Sequence, residues 1–253
     1  MRWSEETRDA DCSPLCLDTS DIEDFCTHLR DDKGHAPSTI NRRLQALRKF
    51  YNLAVAQGWT ESNPAEKASL LDERVSERSR SLTQDDVEQL LEAVRQSRSR
   101  QAARDLAVIQ LLLGAGLKLG ELTELRLGDV HLDAGRPYLD VRDASGSPGR
   151  KVVLEDEVQD ALRSYLPVRR AAEGVDHFCV NRDGKALSTR SDQRLLRHYA
   201  HAAELDGLTT QSLRFVYATR IYESSGDLKV VAQYLGHRHL ATTIRYLRPG
   251  SDK

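Results

Sequence analysis

The sequence predicts a mainly α-helical protein of two domains, with one small antiparallel β-hairpin set into the larger domain. Three observations predict it. Apolar residues recur at helical spacing along most of the chain, as at Ile40, Leu44, Leu47 and Tyr51, and again at Leu228, Val231, Ala232 and Leu235. Two short β-prone runs, 138–141 and 151–154, flank Ser145-Gly146-Ser147-Pro148, which is a hairpin signal. Positions 66–81 are polar, charge-dense and poor in large apolar residues, the composition of an interdomain linker. The domains are then 1–65 and 82–253.

In the first domain, helices are expected over 20–30 and 38–57, the second opened by a Ser38 or Thr39 cap and stopped by Gly58 and Asn63-Pro64. The second domain opens on a capping box, Thr83-Gln84-Asp85-Asp86, followed by Val87, Leu90, Leu91 and Val94. Residues 106–113 read as a buried helix that stops at Gly114-Ala115-Gly116. A helix through Lys118, Glu121, Leu122 and Leu125 follows, then the hairpin. Helices over 157–166, 191–202, 210–223 and 227–235 complete the reading.

Composition narrows the function classes. A chain of 253 residues, 39% hydrophobic and 30% charged, can bury a core without staples. No apolar run approaches the roughly 20 residues of a membrane span. The acidic start (Glu5, Glu6, Asp9, Asp11) is not a signal peptide, so a cytoplasmic protein with no membrane partner is expected. Cys12, Cys16, Cys26 and Cys179 lack paired metal-ligand spacing and read as reduced thiols, with no metal. The net charge is −2, yet its distribution is uneven. From 33 to 60 there are Lys33, Arg42, Arg43, Arg48 and Lys49 without one acid, and from 228 to 251 there are Lys229, Arg238, Arg245 and Arg248 without one acid. Basic faces on an acidic body suit DNA phosphates. Two merely solvated basic helices are the alternative at this point.

The stretch Leu235-Gly236-His237-Arg238-His239-Leu240-Ala241-Thr242-Thr243-Ile244-Arg245-Tyr246 sets a tyrosine nine residues after a Gly-His pair. Upstream lies Gln211-Ser212-Leu213-Arg214-Phe215, a Leu-Arg box, and further upstream Ala115-Gly116-Leu117-Lys118-Leu119-Gly120-Glu121-Leu122. With these motifs in this order, the chain resembles the tyrosine recombinase (phage integrase) family from about Leu17 onward. The resemblance implies a small α-helical, SAM-like core-binding domain and a larger tyrosine-recombinase catalytic domain. It implies double-stranded DNA as substrate, homo-oligomers on DNA or other recombinase subunits as partners, a nucleoid-associated location, and neither metal nor nucleotide cofactor. The implied reaction breaks and rejoins DNA strands through a 3′-phosphotyrosine.

By position, Tyr246 is the nucleophile candidate, and Arg214 matches the second phosphate-clamping arginine, whose planar fork suits two phosphate oxygens. His237 matches a phosphate-binding histidine and Glu121 the acid that orients the site. DNA contacts are expected from Arg42, Arg43, Arg48, Lys49, Arg238 and Arg245. Three positions depart from the family pattern. Lys118 stands where the first arginine is usual and lacks the bidentate fork. Gln211 stands where a proton-handling histidine is usual, and an amide cannot accept a proton there. Ser145 falls where the hairpin lysine is usual; Arg142, Arg150 and Lys151 are the cations near enough in sequence to replace it. A lost acid–base group costs about 10²–10⁴-fold, so impaired catalysis is expected. The alternative is a DNA-binding accessory or regulatory relative that does not cleave. The N-terminal domain is also expected to be shorter than is usual, and the seven residues after Tyr246 are too few for a full docking helix.

Overall fold

The computed structural model describes residues 13–71, 82–142 and 148–247, without the side chains of Pro148, Arg245 and Tyr246. They fall into two compact units divided between residues 77 and 78.

In the first unit, a 3-10 turn at Pro14–Cys16 precedes α1 (Thr19–Asp31) and α2 (Pro37–Ala56). Asp18 and Asp21 cap α1 reciprocally: Asp18 Oδ1 accepts from Asp21 N at 3.0 Å and Asp21 Oδ2 from Asp18 N at 2.8 Å. The expected Ser or Thr cap does not open α2. It begins on Pro37, with Ala36 at the cap and no side-chain cap bond, because proline's fixed φ and missing N–H suit the first helical turn. Ile22, Leu44, Tyr51, Ala65 and Ala68 make a small core. Residues 63–71 fold back over α2: Asn41 exchanges two 2.8 Å bonds with the Leu71 backbone, and Ala68 is buried.

The second unit is larger. In chain order it holds α3 (Gln84–Arg95), α4 (Ala102–Gly114), α5 (Leu119–Glu124), β1 (Val130–His131), β2 (Tyr138–Arg142), β3 (Pro148–Val153), α6 (Asp156–Tyr165), α7 (Thr189–Ala202), α8 (Thr210–Ser225), α9 (Leu228–Leu235) and α10 (Leu240–Leu247). The capping box at Thr83 and Asp86 starts α3 as expected. The apolar run of α4 is buried from Ala107 to Leu113, because α3, α6, α7 and α8 all pack against it. The strands form an antiparallel sheet in the order β1-β2-β3, to which β1 is an addition beyond the expected hairpin. Leu139, Val141 and Val152 are buried on its inner face. Register pairs Val141 with Arg150 and Leu139 with Val152, so Arg150 shares that inner face while Lys151 faces outward with Tyr138 and Asp140. Residue Ser145 lies outside the described residues.

Helix α9 ends in a Schellman turn. Gly236 is left-handed (φ 64°), its N–H donates to Gln233 O at 3.1 Å, and His237 N donates to Ala232 O at 2.9 Å. Helix α10 then packs on α8 and α9. Among the described residues no helix is long and apolar enough to cross a membrane.

Candidate active site

The site is built where the turn after α4, the inner face of β3 and the turn after α9 converge. Gly116 follows α4 with φ +56°, and the Tyr217 ring of α8 lies where any Cβ would stand. That close packing aims the Gly116 carbonyl at Arg214, whose Nη1 donates to it. Arg214 Nη2 donates to Leu235 O at 2.5 Å, one of the carbonyls that the end of α9 leaves without an intrahelical donor. Arg214 is 4% exposed, so α8 delivers a guanidinium pinned to two separate backbone segments.

Lys118 and Glu121 come from the start of α5. Glu121 Oε2 accepts from Lys118 N at 2.7 Å, which closes the helix start. The Lys118 ammonium sits 3.6 Å from Glu121 Oε1 and its side chain is 53% exposed. Arg150 enters from β3 and grips the same carboxylate twice, Nη1 to Oε1 at 2.8 Å and Nη2 to Oε2 at 2.9 Å. Arg214 Nη1 is 3.9 Å from Glu121 Oε2. Burial pushes the Glu121 carboxyl up, but the Arg150 hydrogen bonds and charge, with Lys118, outweigh it and hold the group below the ordinary carboxylate range.

His237 completes the cluster. Its Nε2 faces the Arg214 Nη2 donor at 3.5 Å and its Nδ1 lies 2.9 Å from Thr243 Oγ1. A donor at Nε2 fixes the tautomer: the proton is on Nδ1, which donates to Thr243. Burial first, then the charges of Arg214, Lys118 and Arg150, lower the imidazole pKa to about 4. Burial, and behind it the field of three cations around one carboxylate, thus holds the imidazole well below its ordinary range. Such a field favours an anion.

The structure brings together Lys118, Glu121, Arg214 and His237. Gln211 is exposed in the first turn of α8, three residues before Arg214. Tyr246 lies on α10, three residues beyond Thr243. Arg238 is exposed after the Schellman turn, and Arg245 lies on α10. In the first unit Arg42, Arg43 and Lys49 are exposed on α2. Arg48 departs from them: its guanidinium donates to Ala65 O at 2.9 Å, Ala68 O at 2.5 Å and Glu66 O at 3.4 Å, holding the return segment. Of the hairpin cations, Arg142 donates to Asp129 Oδ1 through Nε and Nη2 at 3.0 and 2.6 Å, and Lys151 lies over the Tyr138 ring at 4.2 Å. Arg150 is in the cluster. Sequence reasoning gave it no more weight than its neighbours and missed Thr243 altogether.

Two family models match the chain: the phage integrase family over residues 80–252 and the phage integrase SAM-like domain over residues 7–70. The chain is 30% identical over 228 residues to Tyrosine recombinase XerD of Halalkalibacterium halodurans, covering 88% of this chain and 74% of that one. It is 32% identical over 222 residues to Tyrosine recombinase XerC of Alcanivorax borkumensis, covering 85% and 70%. Among solved structures it shares its fold with the Tn1549 transposon integrase in complex with transposon right end DNA, at TM-score 0.79 and 21% identity over 99% of this chain and 87% of that one. A XerH site-specific recombinase bound to difH substrate in a post-cleavage complex matches at TM-score 0.79 and 19% identity, over 97% and 72%.

Proposed function

The chain belongs to the phage integrase family of tyrosine recombinases, which act in site-specific DNA recombination, and on that premise we propose that Lys118, Arg214 and His237 bind a scissile DNA phosphate for attack by Tyr246. One observation carries the reading: a cationic cluster, built from α5, α8 and β3 around the single carboxylate of Glu121, lies beside the helix that holds Tyr246.

In this reading the Tyr246 oxygen attacks phosphorus and the bond to the 5′-oxygen breaks, leaving a 3′-phosphotyrosine and a 5′-hydroxyl. The pentacoordinate phosphorane gathers negative charge, which the Lys118 ammonium and the Arg214 guanidinium stabilise. The proton lost by the Tyr246 phenol is balanced by one gained by the 5′-oxygen through solvent, since neither the Gln211 amide nor His237, with its pKa lowered to about 4, is a base at pH 7. Residues 1–65 act as the core-binding domain, with Arg42, Arg43 and Lys49 on the phosphate backbone, and 82–253 as the catalytic domain, with Arg238 and Arg245 adding contacts. The expected linker 66–81 is shortened at its start, since 66–71 pack back on α2. The protein works on double-stranded DNA as a homo-oligomer, in the cytoplasm on the nucleoid.

A second reading has its own observation. Lys118 replaces a guanidinium and Gln211 a proton carrier, the substitutions expected of a relative kept for DNA binding after losing cleavage.

Covalent capture decides between them. The protein is incubated with nicked duplexes, denatured and run for a protein–DNA band, with Tyr246→Phe as control. A wild-type band lost in the control establishes strand transfer. Binding without a band, together with a band from a Lys118→Arg, Ser145→Lys, Gln211→His variant, establishes the accessory reading. No DNA binding at all sinks both.

A further inference from the structure

We propose that Arg150 is a positioning residue that holds the Glu121 carboxylate away from Lys118 and so leaves the Lys118 ammonium open to a DNA phosphate; the inference rests on reading the cluster as a phosphate site.

The competition is visible in the distances. Glu121 is mostly buried and needs a cationic partner, since an unpaired charge in that setting is strongly unfavourable. Two cations are in reach. Arg150 takes both oxygens at 2.8 and 2.9 Å, whereas Lys118 Nζ stays at 3.6 Å, beyond a hydrogen bond, with 53% of its side chain exposed. Lys118 and Glu121 are an i,i+3 pair on one helix start, the spacing at which a lysine and a glutamate meet without help. Lysine is a point charge on a flexible stem and would close that gap if the carboxylate were vacant. Arg214 does not substitute for Arg150. It stands 3.9 Å from Glu121 and its Nη groups donate to the carbonyls of Gly116 and Leu235.

The surroundings are shaped for this arginine. Pairing with Val141 puts position 150 on the inner face of the sheet. Gly236 leaves room for it: a Cβ there would stand 2.9 Å from Arg150 Nη1. The glycine that turns the chain toward His237 therefore also admits the guanidinium that occupies Glu121. An arginine at position 118 would not need such a device, because its fork can hold a carboxylate and a phosphate at once. A lysine does.

The test is a mutant cycle read by DNA binding and by the free protein. Affinity for one duplex is measured at several salt concentrations for wild type, Arg150→Met, Arg150→Lys, Lys118→Met, and Arg150→Met combined with Glu121→Gln or with Lys118→Met. Arg150→Met is expected to weaken binding about three- to tenfold and to lower the log–log salt slope by about one, the loss of one phosphate contact. Adding Glu121→Gln restores both, Arg150→Lys retains part of both, and in the Lys118→Met background Arg150→Met costs nothing more. Equal losses in both backgrounds, with no rescue by Glu121→Gln, mean that Arg150 touches phosphate itself and overturn the inference. In free protein, the Lys118 ε-methylene resonances should move on Arg150→Met and return with Glu121→Gln. No movement also overturns it, even if wild type fails to bind DNA, a failure that would instead sink the functional reading.

Discussion

His237 Nδ1 and Thr243 Oγ1 stand 2.9 Å apart, with Thr243 fully buried. The helix that carries Tyr246 thereby supplies the acceptor for the proton that the Arg214 donor places on Nδ1 of the histidine. Thr243→Val keeps the shape and removes the acceptor, leaving a buried Nδ1–H unpaired at a cost of about 1–3 kcal/mol. The rate of phosphotyrosine adduct formation should fall roughly tenfold, and Thr243→Ser should keep most of it. A valine variant at full rate would show that the hydroxyl does no more than pack.

His237 should titrate near 4 rather than 6.5 in the free protein. A histidine whose folded pKa is lowered binds fewer protons folded than unfolded. Its contribution to stability therefore rises with pH through this window and is lost as pH falls from about 6.5 toward 4. Lys118→Met and Arg150→Met should each move the midpoint upward, because each removes a repelling charge. Proton NMR of the imidazole across pH 3–8 checks both statements; a wild-type midpoint near 6.5 would refute the positive field.

Asp192 is a buried acid that the site does not use. It is 1% exposed, and neither carboxylate oxygen has a hydrogen-bond partner among the described residues. Burial raises its pKa to about 7, with Arg104 lowering it and Asp105 raising it. Its sign is opposite to that of His237. The folded form holds the proton more tightly, so stability falls as pH rises from about 4 to 7 and stays low above. Asp192→Leu continues the stripe of Leu195, Leu196 and Tyr199 and should add about 2–3 kcal/mol at pH 8, seen as a Tm rise of roughly 5–10 °C. The gain should shrink at pH 5. An equal gain at both pH values would point to packing alone.

Gly116→Ala combines a left-handed backbone with a Cβ driven into the Tyr217 ring. The two effects together should cost about 2–4 kcal/mol. Since the Gly116 carbonyl accepts from Arg214, adduct formation should fall further than the loss of folded protein explains. Circular dichroism melts run beside the capture assay separate the two.

Arg48 and its neighbours should split cleanly. Arg48→Met breaks three bonds to the return segment and should lower the melting temperature of the first unit. Arg42→Ala and Arg43→Ala, both exposed, should leave melting unchanged and each reduce the DNA salt slope by about one. The reverse pattern would place Arg48 on the DNA.

How much of this was legible depended on how local each signal is. Lys118, Glu121, Arg214 and His237 sit in short motifs whose spacing survives without tertiary knowledge, and the structure brings them within hydrogen-bond or ion-pair reach of one another. Arg150 was hidden by parity. In Arg-Lys-Val-Val either cation can face inward until the partner of Val141 is known, and that is a cross-strand fact. Arg48 was more readable than it looked: four residues after Leu44 and three before Tyr51, it borders the buried stripe of α2. Asp192 runs the other way, a charge at an apolar helical position that no pattern rule would bury. Thr243 lies within the stretch that joins Gly-His to Tyr246, but its partner is set by the Schellman turn.

Helix α4 gives the site an uneven kinetic footing. Its run from Ala107 to Leu113 is enclosed by α3, α6, α7 and α8, and the Gly116 carbonyl hangs directly from its end. Amides there should exchange with solvent only when the whole unit opens. The eight residues of α10 carry the buried Thr243 and a Leu247 packed against the core, and their amides should exchange sooner than those of α4. Arg214 is therefore anchored from the most enclosed part of the unit, while position 246 rides on a short terminal helix whose Thr243 is tied to His237, so any displacement of that helix is felt at the histidine.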